Sequence, residues 1–162
     1  MASSSSAPTT SAAANARFSA GSDEKALSQT LETLLKSAEG HGGSGGGGGG
    51  RWTLTTGGEG LERSFKFKTF AKTWDFMTAV SLQCKIKNHH PEWSNVYNTT
   101  YIRWTTHNPQ GLSAKDIELA AICDSLARDF GEVVEESGGS CELKQLADRG
   151  AATAGDCCGP KK

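Results

Sequence analysis

The sequence predicts an α+β domain: a four-stranded antiparallel sheet with three helices packed on one face, in the order α-β-β-α-β-β-α. Three observations lead there. Apolar residues recur at helical spacing in three separate segments, around Leu27–Leu35, Phe70–Cys84 and Leu119–Phe130. Between these segments lie paired short runs rich in aromatic and β-branched residues. Strands that come in pairs, not singly, form hairpins, and hairpins with intervening helices give an antiparallel sheet covered on one side. The other face, or an edge strand, is then open for self-association.

Residues 1–21 are rich in Ser, Ala and Thr, with one arginine, Arg17, and no acid before Asp23. Such a segment buries too little apolar surface to order itself, so a disordered extension is expected. Its lack of acids also fits a transit peptide. A cytoplasmic protein is the first expectation, a mitochondrial or plastid one the alternative.

The domain is expected over residues 22–136. Ser22 is the candidate cap of a first helix, with Asp23 and Glu24 at its positive end. Leu27, Leu31, Leu34, Leu35 and Ala38 form its apolar stripe, and Gly40 is its stop. The glycine-rich stretch at 42–50 reads as a flexible insertion. A phosphate-binding loop would need Lys followed by Ser or Thr where Arg51-Trp52 stands.

Trp52 to Thr55 and Leu61 to Phe67 read as a hairpin about the turn Gly57-Gly58-Glu59-Gly60, with Arg63 interrupting the apolar face. Thr69 can cap a second helix, whose stripe holds Phe70, Trp74, Met77 and Cys84 with Phe76 and Val80 beside it. That width predicts a helix packed on two sides. Trp93 to Asn98 and Thr100 to Thr106 read as two more strands, and Asn108-Pro109-Gln110-Gly111 as a turn. Ser113 and Asp116 have capping-box spacing ahead of the last helix, which Gly131 ends. Residues 137–162 are rich in Gly, Ala and scattered charge, and a disordered tail is expected there.

Three of the four histidines, His89, His90 and His107, fall within nineteen positions. Imidazole titrates near neutral pH without help, so a cluster of imidazoles is where proton-transfer chemistry is expected. His90 precedes Pro91 and is pushed to an extended conformation while His89 closes the helix, so the two rings should diverge. His107, ending a strand, returns to the same rim if the last two strands are neighbours. The alternatives are histidines that only make structural hydrogen bonds, or a zinc site. The latter is disfavoured because adjacent His89 and His90 lack the spacing that converges on one ion. Cysteine catalysis lacks a placed nucleophile, since Cys84 and Cys123 fall on apolar helix stripes. No metal is expected on the histidine spacing. The net charge of −1 gives no case for nucleic acid, and no apolar run is long enough to cross a membrane.

The run Lys85-x-x-x-His89-His90-Pro91, then Tyr97, His107 and Asp116, resembles the signature of the pterin-4a-carbinolamine dehydratases. Phe65-Lys66-Phe67, Phe76-Met77, Pro91-Glu92-Trp93, Asn95-Val96-Tyr97-Asn98, Thr106-His107 and Gly111-Leu112-Ser113 resemble it too. The resemblance implies loss of water from 4a-hydroxytetrahydrobiopterin to give quinonoid dihydrobiopterin, as a step of tetrahydrobiopterin recycling, with His89, His90 and His107 catalytic and with no metal or organic cofactor. It makes Trp93, Tyr97 and Asp116 candidate substrate contacts, with Trp93 equally a packing residue and Asp116 equally a helix-capping acid. It also implies a homodimer or homotetramer, and a possible protein partner, since animal members resemble bridging proteins for transcription factors. A non-catalytic binding module is the alternative function. Lys85 stands where many members carry an acid, which leaves no carboxylate role at that position.

Overall fold

The computed structural model describes residues 12–35, 52–133 and 140–153. Ala38, Gly40, the glycine run at 42–50 and Cys157-Cys158 lie outside these. The expected sheet is present: β1 (Thr53–Leu54), β2 (Leu61–Lys66), β3 (Glu92–Val96) and β4 (Thr99–Trp104) run antiparallel in the order β1-β2-β4-β3. Helices α1 (Glu24–Leu35), α2 (Phe70–Lys87) and α3 (Ala114–Asp129) pack on one face. The side chains that alternate inward from β2 and β4, Leu61, Phe65, Ile102 and Trp104, are fully buried against Leu31, Phe76, Val80, Leu119 and Ala120. Phe76 bridges Phe65 and Phe67 with ring centroids 4.9 and 5.0 Å away. Burying a phenylalanine this fully stabilises the fold by about 2–3 kcal/mol.

Arg63 does interrupt the apolar face of β2, and the structure shows how the charge is held. Its guanidinium pairs with Asp124 of α3, lies 2.6 Å from Glu132, and stacks 4.2 Å above the Phe65 ring. Trp52 Nε1 donates to the same Asp124 at 2.8 Å. One buried cation thus ties strand, helix and the exit of α3 together.

Local chemistry sets the helix ends. Asp23, not Ser22, caps α1, its carboxylate accepting from Ala26 N at 3.1 Å. Thr69 caps α2 as expected. Asn88 stops α2 in the left-handed conformation at φ 48°, so the helix closes one residue before His89.

Four expectations change. Helix α2 is packed on one side only: Phe70, Trp74, Leu82 and Ile86 are 51, 48, 54 and 71% exposed and form a single row at i, i+4 spacing. Within 137–162 lies a fourth helix, α4 (Ser140–Thr153), where a tail was expected. It covers the outer sheet face, its Leu143 and Ala147 buried on Tyr101, its Lys144 paired with Glu62 and its Asp148 with Arg103. That outer face is therefore not free for self-association over β3 and β4. Nor are residues 12–19 a loose extension. Arg17 N donates to Gly58 O, Ser19 N to Leu112 O and Leu112 N to Arg17 O, each at 2.9 Å. Backbone pairing supplies this order, with Ala13 buried and Ala16 and Phe18 packed on the core cluster. Gly58 and Gly111 permit the approach, since a Cβ on either would lie 2.0 Å from Asn15 O or 2.6 Å from the Phe18 carbonyl carbon. Finally, the turn after His107 is part of a separate two-stranded ribbon, β5 (Thr106–His107) and β6 (Gln110–Gly111).

Candidate active site

The three histidines come to one rim by three different routes. His89 follows the left-handed Asn88, and its N–H donates to Cys84 O at 3.1 Å, which turns the chain out of α2. His90 is carried one residue further, ahead of Pro91. His107 sits on β5, whose hairpin is braced from behind by Ser19 Oγ donating to Pro109 O at 2.8 Å. The rings of His89 and His90 diverge as expected. His89 lies over Trp104 with centroids 5.9 Å apart, while His90 faces His107 at 6.2 Å, both pairs near parallel.

The two sets differ in surroundings. His89 Nε2 lies 2.6 Å from Asp116 Oδ1, and Asp116 is fully buried. The other oxygen of Asp116 accepts from Ser113 N at 2.8 Å, Ser113 Oγ at 2.9 Å and Thr106 Oγ1 at 2.7 Å. Asp116 is thus both the acid of the α3 capping box and the partner of a histidine. With Nε2–H donating to it, a neutral His89 keeps Nδ1 as its acceptor, the form a general base needs. His90 is exposed, and the His107 side chain is 43% exposed with Nε2 3.5 Å from Glu92 Oε1. An imidazole held by a buried carboxylate, beside two accessible imidazoles, is a set suited to general acid–base chemistry.

A cavity of about 330 Å³ opens beside His107, lined also by Glu59, Glu92, Arg103, Lys144 and Asp148. Burial is the largest single influence on Arg103 and lowers its pKa, but the hydrogen bond and charge of Asp148 and the contact with Tyr101 together outweigh it and keep the guanidinium cationic. Burial pushes the thiols of Cys123 and Cys84 upward, which makes thiolate scarce at both. Among the described residues, no three His, Cys, Asp or Glu side chains group as a ligand set for a metal ion.

Of the candidate substrate contacts, Trp93 is partly buried against the core cluster on the inner side of β3. Tyr97 is 66% exposed in the β3–β4 turn, at φ 52°. That turn lies at the far end of β3 from Glu92, so Tyr97 is not brought to the histidines. Sequence reasoning passed over Thr106, Trp104, Glu92 and Arg103. The last two are directly opposite in the β3–β4 register, a cross-strand charge pair that becomes visible once that register is known.

The family described as Pterin 4 alpha carbinolamine dehydratase matches residues 25–126, most of the chain, the histidine rim and Asp116 included. The chain belongs to the pterin-4a-carbinolamine dehydratase family. A protein of Rhodospirillum rubrum, provisionally named pterin-4-alpha-carbinolamine dehydratase, is 45% identical over 75 residues, covering 46% of this chain and 78% of the relative. One of Solibacter usitatus with the same name is 47% identical over 76 residues, covering 47% and 78%. A crystal structure titled transcriptional coactivator/pterin dehydratase, from Brucella melitensis, aligns with TM-score 0.51 at 30% identity, over 64% of this chain and 95% of that one. As a pterin-4a-carbinolamine dehydratase the chain is an enzyme of the hydro-lyase class, and its α+β architecture is that of a pterin dehydratase. No helix among the described residues is long and apolar enough to cross a membrane.

Proposed function

We propose that the chain dehydrates 4a-hydroxytetrahydrobiopterin to quinonoid dihydrobiopterin, by histidine acid–base catalysis, in the recycling of tetrahydrobiopterin. The observation that carries the reading is the gathering of His89, His90 and His107 at one rim, with His89 held by Asp116. The reaction needs an acid at the departing 4a-hydroxyl and a base at the N5 proton. Carboxylate-held His89 is suited to one of these roles and the accessible His90–His107 pair to the other. Protein and pterin together supply every group this chemistry requires, with no metal and no organic cofactor. The test is to add the protein to an aromatic amino-acid hydroxylase reaction that forms the 4a-hydroxypterin in place, and to follow its ultraviolet decay. Decay faster than the spontaneous rate supports the proposal; an unchanged rate with folded protein rejects it.

The exposed row Phe70, Trp74, Leu82 and Ile86 supports a second element of the reading, a homodimer or homotetramer joined through α2. The same row favours the alternative function, a binding module for a protein partner, in line with the coactivator half of the Brucella title. The proposed compartment is the cytoplasm, with mitochondrion or plastid the alternative. A fluorescent fusion of residues 1–21 decides it, since organellar signal would reject the cytoplasmic placement.

A further inference from the structure

His107 is held less firmly than His89. It sits on a strand of two residues, with nearly half of its side chain in solvent. The His90 ring alone, 6.2 Å away, does not fix its rotation. A proton-transfer group held in one geometry outperforms one that samples many, so whatever fixes this ring bears on the rate. Glu92 is the group in position. Its Oε2 accepts from Arg103 NH1 at 3.0 Å, while Oε1 lies 3.5 Å from His107 Nε2. A cross-strand salt bridge would occupy only the first oxygen. The second faces the imidazole.

Arg103 is itself held. It lies 5.6 Å over the Tyr101 ring, contacts Glu62 at 3.4 Å, and pairs with Asp148 of α4. The side chains of Glu92 and Arg103 are 17 and 12% exposed, so this geometry is shielded from water. A line of contacts therefore runs from α4 through Arg103 and Glu92 to His107. Its far end lies beyond residue 126, where the match to the family stops.

We propose that Glu92 is a positioning residue for His107, and that Arg103 and Asp148 of the C-terminal helix hold it in place. The inference rests on the dehydratase reading for its effect on rate, but not for its geometry. The charged and titratable groups around His107 are Glu92 from β3, Arg103 from β4, His90 ahead of Pro91, Glu59 from the β1–β2 turn, and Lys144 and Asp148 from α4.

The test uses the full chain with Glu92→Gln, which keeps the shape and removes the charge, and Asp148→Asn. In Glu92→Gln, kcat is expected to fall at least about fivefold, less than the ~10²–10⁴ that a proton-transfer group itself supplies, with KM within about twofold. Asp148→Asn should lower kcat the same way by less. The NMR signals of the His107 ring protons should move and broaden in Glu92→Gln as the ring loses its fixed orientation, while those of His89 stay put. This arm reads the contact even if the wild-type protein turns over no pterin, in which case the dehydratase proposal falls and the ring signals still decide this one. A folded Glu92→Gln variant with the wild-type His107 ring signals overturns the inference, whatever its thermal midpoint.

Discussion

Replacing Asp116 by asparagine removes one charge and leaves the size of the side chain almost unchanged. At this position the amide has no orientation that satisfies every neighbour. Oδ2 of Asp116 receives three donors, the Ser113 N–H, the Ser113 hydroxyl and the Thr106 hydroxyl, and Oδ1 receives His89 Nε2. If the asparagine oxygen keeps the α3 cap, its NH2 points at His89 Nε2, and the imidazole must move its proton to Nδ1 to accept. The lone pair that a base at Nδ1 would use is then lost. If the amide turns over, the cap is lost instead. The charged-to-neutral change weakens the hydrogen bonds that remain, and a total cost to stability of about 2 kcal/mol is expected. The cost to turnover should be larger, about a hundredfold in kcat, because a proton-transfer group is disabled and not merely displaced. The assay is the ultraviolet decay of hydroxylase-generated 4a-hydroxypterin, with thermal unfolding in parallel. Ser113→Ala separates the two roles of Asp116: it removes a cap donor at about 1 kcal/mol and leaves His89 on its carboxylate, so kcat should stay within about threefold. A folded Asp116→Asn protein with kcat within twofold of wild type would refute the reasoning, as would a Ser113→Ala variant that loses as much.

His90→Ala should lower turnover at least tenfold while the thermal midpoint barely moves, since the ring is exposed and supports nothing else; an unchanged rate removes His90 from the mechanism. Arg63→Ala should cost about 3–5 kcal/mol in denaturant unfolding, because it removes the buried cation that Asp124 and Glu132 share. Trp74→Glu should shift the protein to a smaller species in sedimentation, if α2 is the self-association surface; an unchanged sedimentation coefficient places that surface elsewhere. The raised thiol of Cys123 gives a pH dependence. Burial holds its pKa above the ordinary 9.0 in the folded state, so the unfolded chain loses the proton first. Its contribution is complete below pH 9 and declines as pH rises further, so Cys123→Ala should flatten the alkaline fall in stability.

The sheet and its three inner helices were legible because each rests on a repeating pattern. Alternation in β2 runs over six residues and the helical stripes over 12 to 18, and one exception such as Arg63 does not erase them. The histidine rim was legible for a different reason: it is compact in sequence, and Pro91 and the capping spacing of Ser113 and Asp116 fix local geometry on either side. What escaped depends on contacts between distant segments. The double use of Asp116 needs α3 to approach the end of α2, which no local pattern encodes. Helix α4 has a stripe of only Leu143, Leu146 and Ala147, with Gly150 inside the helix, and that stripe is too sparse to stand out without Tyr101 to cover. Residues 12–19 are ordered by backbone hydrogen bonds, to which composition is blind. The exposure of Phe70 and Trp74 misled for the converse reason. Hydropathy reports that a face is apolar, not whether this chain or a partner covers it. Tyr97 was a site candidate through its place in a motif, and strand length alone carries it away.

The central claim is that three imidazoles at one rim act on one pterin. The most direct measurement is a titration of the protein with a product-type dihydropterin, followed through the ring-proton NMR signals of all four histidines. The account predicts that His89, His90 and His107 shift together and saturate at one concentration, while His41 does not. Saturable pterin binding that leaves the signals of His90 and His107 unmoved would contradict it.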